Sequence, residues 1–337
     1  MLILHIGFSK TGTTAIQQFM SANRNKLAAL RIIYPKAFCV DNSHHKLFWL
    51  TPPVVKIHNK FAMQTIQGEN FEQHAFALKR ELQTVNAETI VMSSELFSNT
   101  TDIAKIKQLK NKFSEFGFKI VIYLRRQDDY LKSMYNQVVK NNHYSGSLSD
   151  FLSERTQLIE NLHYDRFIDK LENVVASNNI TVRIYDTQTF VNHNIYDDFI
   201  CCLPGAVHTE LAKPDADKNP RLSYYGLALK HLLNSRIDEH KKLVALMKAV
   251  LDYDSQLAAI KLDPLPDPKV DEQLSQLMSG YQTSNQSLRS KRFPQQEELF
   301  SSDSGPANAA LGFPSDRDII RELPPQLAKQ IVGIMLQ

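Results

Sequence analysis

The chain has 337 residues, 43% of them apolar and 22% charged, with 39 basic against 36 acidic side chains and a formal net charge of +3. That composition describes a soluble globular protein able to bury a large core, and the length suits two domains or one α/β domain carrying an insertion. Charges so balanced and interspersed exclude nucleic-acid or membrane attachment through bulk electrostatics, so any anion site must be local.

The N-terminal apolar run Leu2 to Ile6 is too short for a signal-peptide core, and no stretch approaches the ~18 apolar residues of a membrane span. It reads as a strand. The glycine-bounded segment Gly7-Phe8-Ser9-Lys10-Thr11-Gly12-Thr13-Thr14 follows at once, and Ile16, Phe19, Met20, Leu27 and Leu30 then recur at helical spacing. Further strands are predicted at Thr89–Met92, Lys119–Leu124 and Thr181–Tyr185, with helical patterns at about 69–86, 102–115, 127–142 and 161–178. This alternation predicts a parallel sheet covered on both faces.

From about 221 to 286 amphipathic helices replace the strands, with Leu243 to Met247 and Leu274, Leu277 and Met278 as apolar positions. They pack on the α/β core, cap an acceptor site or form a dimer face. Ser301–Ser315 reads as a loop, and a short helix at about 325–335 closes the chain. Three cysteines, Cys39, Cys201 and Cys202, lack CxxC spacing and metal-ligand partners in register, so neither a disulfide framework nor a zinc site is expected and a reducing cytoplasm suits the chain.

Gly7 and Gly12 have the spacing of a P-loop, in which backbone N–H groups and a helix N-terminus surround a phosphate. The strand, loop and helix order supports that reading. A nucleotide triphosphatase, however, needs Lys directly after the second glycine, and Thr13 stands there. The loop's lysine is Lys10, two residues before Gly12. Such a loop can hold one terminal phosphate with N–H and hydroxyl donors while presenting a single cation beside it.

Lys10-Thr11-Gly12-Thr13-Thr14 after a strand resembles the 5′-phosphosulfate loop of sulfotransferases that use 3′-phosphoadenosine-5′-phosphosulfate (PAPS), with agreement at all five positions. The resemblance is to bacterial, carbohydrate sulfotransferase-like members. A second segment, the strand ending at Leu124 followed by Arg125-Arg126-Gln127-Asp128-Asp129-Tyr130-Leu131-Lys132-Ser133, resembles the family's 3′-phosphate motif, in which an Arg at a strand end and a Ser eight residues later grip that phosphate. The family's Asn-Pro after the Arg is replaced by Arg126-Gln127. A guanidinium fork and a helix hydroxyl suit the task. A third segment, Leu288-Arg289-Ser290-Lys291-Arg292-Phe293-Pro294, resembles the C-terminal cofactor loop of carbohydrate sulfotransferases, which would bring Arg289, Lys291 or Arg292 to a phosphate and Phe293 toward the adenine.

The resemblance implies an α/β, P-loop-like three-layer sandwich with a central, mainly parallel sheet and a helical C-terminal insertion, as one domain. Its parts would be a core over 1–206 with the PAPS motifs, an insertion over 207–286, and a cofactor loop and docking helix over 287–337. The cofactor-binding set is Ser9, Lys10, Thr11, Gly12, Thr13, Thr14, Arg125, Ser133, Arg289, Lys291, Arg292 and Phe293; no metal is required. Lys10 is the cation expected to neutralise the leaving phosphate oxygen. The acceptor, a carbohydrate-type hydroxyl, needs a base. Glu95, after the strand Thr89–Met92, is the first candidate and His45, in the pair His44-His45, its rival. A small-molecule kinase with an altered P-loop and a non-catalytic nucleotide-binding module are the alternative functions.

Overall fold

In the computed structural model the described residues are 1–52, 60–205, 211–214, 222–260, 265–301 and 310–336. Every side chain of β1 (Leu2–Gly7) is buried, as a strand covered on both faces requires. It lies at the centre of a five-stranded, wholly parallel sheet with β2 (Ile32–Ile33), β3 (Thr89–Ser93), β4 (Phe118–Leu124) and β5 (Ile180–Ile184), in the order β2-β3-β1-β4-β5. Register pairs His5 with Ser93 across β1 and β3, and Gly7 with Tyr123 across β1 and β4.

On one face of the sheet Ile3, Val91 and Val121 pack against Ile16, Phe19 and Met20 of α1 (Thr13–Ala22), and against Phe199 of the helix Ile195–Ile200. Leu2, Leu4 and Ile6, which alternate with them to the opposite face, are equally buried. The fold is therefore α/β with a parallel central layer flanked by helices. Strand β2 is absent from the expected elements because two isoleucines are too short a run to read. Its consequence is topological: β1 has β3 on one side and β4 on the other, so the loops after these three strands meet at the carboxyl edge of the sheet, where the strand order reverses and ligands bind in open α/β folds.

The chain forms two compact units, which divide it differently from the expected boundaries at 206 and 286. One comprises Met1–Arg126, His163–Ala216 and Thr283–Phe300; the other comprises Gln127–Leu162, Asp217–Gln282 and Ser301–Gln337. The second unit is built mainly of helices, among them Gln127–Asn141, Tyr224–Arg236, His240–Ala258 and Pro325–Leu336. Asn234 ties two of its segments by donating to the carbonyls of Val139 and Tyr144 at 2.8 and 2.9 Å. Residues 207–210, 215–221 and 261–264 of the expected insertion, and 302–309 of the expected loop, lie outside the described residues. Ala310–Gly312, within that loop, instead forms a short antiparallel pair with Leu265–Pro266.

Leu288–Arg292, expected as a loop, is the end of a 25-residue helix, Pro268–Arg292. No proline interrupts it until Pro294, and the residue before a proline is pushed out of helical conformation, so the helix stops just ahead of Phe293.

Candidate functional site

The segment between β1 and α1 is held by its glycines. A Cβ on Gly7 would stand 2.0 Å from Thr13 Cγ2, so only glycine lets the first turn of α1 close over the strand end. Gly12 has φ +76°, and a Cβ there would meet Ile195 Cδ1 at 2.2 Å. The first intrahelical bond of α1 runs from Ile16 N–H to the Gly12 carbonyl at 3.0 Å. Gly12 has no side chain to cap the earlier N–H groups of that turn, which makes them available to an anion.

Lys10 also adopts a left-handed conformation, with φ +67°. For a residue bearing a Cβ this costs on the order of 1–2 kcal/mol, and it persists because its neighbours impose it. Arg125, one residue beyond the end of β4, donates from Nη1 to the Lys10 carbonyl at 3.0 Å. Thr11 donates from both its backbone N and its Oγ1 to the Phe8 carbonyl, at 3.2 and 2.5 Å. The Arg125 guanidinium lies over the Tyr185 ring, 5.4 Å from its centroid, and the Arg125 carbonyl accepts from the Tyr164 hydroxyl at 2.8 Å. The loop and Arg125, read separately from the sequence, are thus one structure. Ser9, Lys10 and Gly12 are partly exposed, Thr11 and Thr13 are buried, and Thr14 is exposed.

A second cluster stands at the same sheet edge. Glu95 opens a short 3-10 turn, Glu95–Phe97, directly after β3, and Ser94 caps that turn by accepting from Leu96 N–H at 3.4 Å. Glu95 Oε2 accepts from Gln17 Nε2 of α1 at 3.0 Å, while Oε1 lies 3.6 Å from His45 Nε2. His45 is the first residue of the helix His45–Leu50, and its Nδ1 is 2.9 Å from Ser94 Oγ. The two candidate bases are therefore neighbours in one site. Burial pushes the His45 imidazole below its ordinary range, against the opposing charges of Glu95 and Asp41, so it is neutral near pH 7.

Behind this pair, Gln17 Nε2 also reaches Ser93 Oγ at 3.2 Å, and His5 Nδ1 contacts the same oxygen at 2.8 Å. Burial holds both His5 and His44 down to about 3. His44 is fully buried. Its Nε2 donates to the Pro35 carbonyl at 3.0 Å, which leaves Nδ1 to accept Ser93 N–H at 3.1 Å. Gln17, His5 and Ser93 were missed by the sequence reading. The available signals were Gln17's place four residues after Thr13 on α1, and the β1–β3 register.

Ser133 is buried in the helix Gln127–Asn141 of the second unit. The basic residues near the end of Pro268–Arg292 have protein partners: Arg289 donates to the Gln296 carbonyl, Lys291 pairs with Asp169 at 2.7 Å, and Arg292 pairs with Glu172 and donates to the Ser177 carbonyl at 2.9 Å. Phe293 is partly exposed. Among the described residues no group of three or more His, Cys, Asp or Glu side chains could hold a metal ion, and no helix is long and apolar enough to cross a membrane.

No known family profile matches the chain. Over 152 residues it is 31% identical to an uncharacterized protein of Archaeoglobus fulgidus; the match covers 44% of this chain and spans only 39% of that protein's length. A sulfotransferase structure from Alicyclobacillus acidocaldarius aligns with 77% of this chain and 96% of its own, at 15% identity and a TM-score of 0.45.

Proposed function

We propose that the chain is a sulfotransferase that moves the sulfuryl group of PAPS to a hydroxyl of a carbohydrate-type acceptor. The observation that carries this reading is the 3.0 Å bond from Arg125 Nη1 to the Lys10 carbonyl, which joins two motifs 115 residues apart. The first turn of α1 and the hydroxyls of Thr13 and Thr14 receive the donor's 5′-phosphate, with Ser9, Thr11 and Gly12 shaping the loop. Arg125 has further guanidinium donors to offer a 3′-phosphate. Lys10, held in a strained conformation beside that phosphate, supplies the cation where leaving-group charge develops. The reading makes no use of Arg289, Lys291, Arg292 or Phe293.

In the transfer, the sulfur–oxygen bond to the 5′-phosphate breaks as one to the acceptor oxygen forms, and the acceptor proton passes to the Glu95–His45 pair. Glu95 Oε1 lies 3.6 Å from the neutral His45 imidazole, so both groups stand at the place where the acceptor proton is released. Aromatic rings flank this base: Trp49 is 5.7 Å from His45, and Phe61, 58% exposed, lies 6.5 Å from Trp49. Such rings favour an acceptor with an apolar ring face, as sugars have.

A thermal-shift comparison tests the reading. Adenosine 3′,5′-bisphosphate without magnesium is expected to raise the melting temperature more than ATP with magnesium does. The reverse order would turn the assignment toward a kinase. Stabilisation by the bisphosphate with no sulfuryl transfer to any sugar offered would leave a nucleotide-binding module.

A further inference from the structure

We propose that Gln17 is a positioning residue, which fixes the Glu95 carboxylate so that Oε1 faces His45 and the acceptor. The inference rests on the reading of Glu95 and His45 as the base pair. Gln17 is buried on α1, four residues after Thr13, and its amide nitrogen has two hydrogens and two acceptors: Glu95 Oε2 at 3.0 Å and Ser93 Oγ at 3.2 Å.

The orientation of that amide is determined by what surrounds it. An ionised carboxylate only accepts, so the NH2 end of Gln17 must face Glu95. Ser93 Oγ can accept the second hydrogen if its own proton goes elsewhere, and the Tyr34 hydroxyl is its neighbour. His5 then donates from Nδ1 to Ser93 Oγ at 2.8 Å, leaving its buried Nε2 as a bare acceptor. The opposite tautomer would strand a buried N–H donor, which is the rarer and costlier defect. His5, Ser93, Gln17 and Glu95 are thus linked from the sheet interior to the reacting edge, Ser93 Oγ accepting from both His5 and Gln17, and Glu95 accepting from Gln17. This network links β1, β3 and α1, of which β1 and α1 flank Lys10 and its loop. With Oε2 engaged by Gln17, Oε1 is the oxygen left to take a proton.

The His45 imidazole reports where the carboxylate sits, and does so without any turnover. The charged and titratable groups facing it are Glu95, Asp41 and His44. Glu95 opposes the effect of burial, so moving that charge away must let His45 titrate at lower pH. Imidazole C–H resonances would be followed by proton NMR in the full chain, in Glu95→Gln and in Gln17→Met, which keeps the volume and removes both donors. The expected result is a His45 midpoint in Gln17→Met displaced from wild type toward that of Glu95→Gln, with Asp41 intact in both. Gln17→Asn, which keeps the amide but withdraws it by one methylene, should show the same displacement and serves if the Met variant does not fold.

A midpoint unchanged in the Gln17 variants while it falls in Glu95→Gln would overturn the proposal. So would a midpoint that ignores Glu95→Gln altogether. Failure of the wild-type protein to transfer sulfuryl groups would count against the reaction alone, since the titration needs none.

Discussion

Lys10→Ala is expected to lower kcat by roughly 10²–10³-fold while adenosine 3′,5′-bisphosphate binds almost as before. The asymmetry follows from when the ammonium acts. On the proposed reading the phosphate of the bound ground state is already met by backbone N–H groups of α1 and by threonine hydroxyls, so one cation among many donors changes affinity modestly. As the sulfur–oxygen bond breaks, negative charge accumulates on the bridging oxygen, and an interaction that strengthens only then raises turnover rather than affinity. The φ of +67° at Lys10 is present before any ligand arrives, so the backbone that carries the cation need not rearrange during reaction. Single-turnover rates set beside calorimetric affinities check this. A variant with weaker binding and normal turnover would make Lys10 a ground-state phosphate contact.

The second large effect concerns the base. Glu95→Gln is nearly isosteric and keeps an oxygen to accept from Gln17, so fold and nucleotide binding should survive while the rate falls by about 10²–10⁴-fold. His45→Ala is expected to lose less, because on the proposed reading the carboxylate is the group that meets the acceptor and the imidazole stands beside it, 3.6 Å away. The comparison requires rates for both variants at saturating donor, with stabilisation by adenosine 3′,5′-bisphosphate confirming an intact site. A greater loss in His45→Ala would make the imidazole the base and Glu95 the group that orients it.

Local order carried much of the architecture into view. The apolar run at Leu2–Ile6, the glycines at 7 and 12 and the helical spacing of Ile16, Phe19 and Met20 lie within about twenty residues, and the structure realises them as β1, the loop and α1. The same holds for β4 and Arg125. What escaped depends on strand order, which short-range pattern does not encode. The edge strand Ile32–Ile33 is two residues long, and its pairing with β3 is what leaves β1 flanked by β3 and β4. Without that order, Gln17, Ser93 and His5 cannot be seen to converge, and Glu95 and His45 read as rivals when they are neighbours. The basic run at 289–292 differs from the expected loop in its local structure. Its composition suggested a phosphate contact, but the absence of a helix breaker before Pro294 kept it helical, and Asp169 and Glu172 pair with its charges.

The most direct measurement is isothermal calorimetry of the wild-type protein with adenosine 3′,5′-bisphosphate and with adenosine 5′-monophosphate, in the same buffer without magnesium. The two ligands differ by the 3′-phosphate alone. A charge-assisted, bidentate guanidinium contact from Arg125 contributes on the order of 1.5–3 kcal/mol, so the bisphosphate should bind roughly 10- to 150-fold more tightly. Equal affinities would contradict the account, because no dedicated 3′-phosphate site would then exist and the donor could not be PAPS.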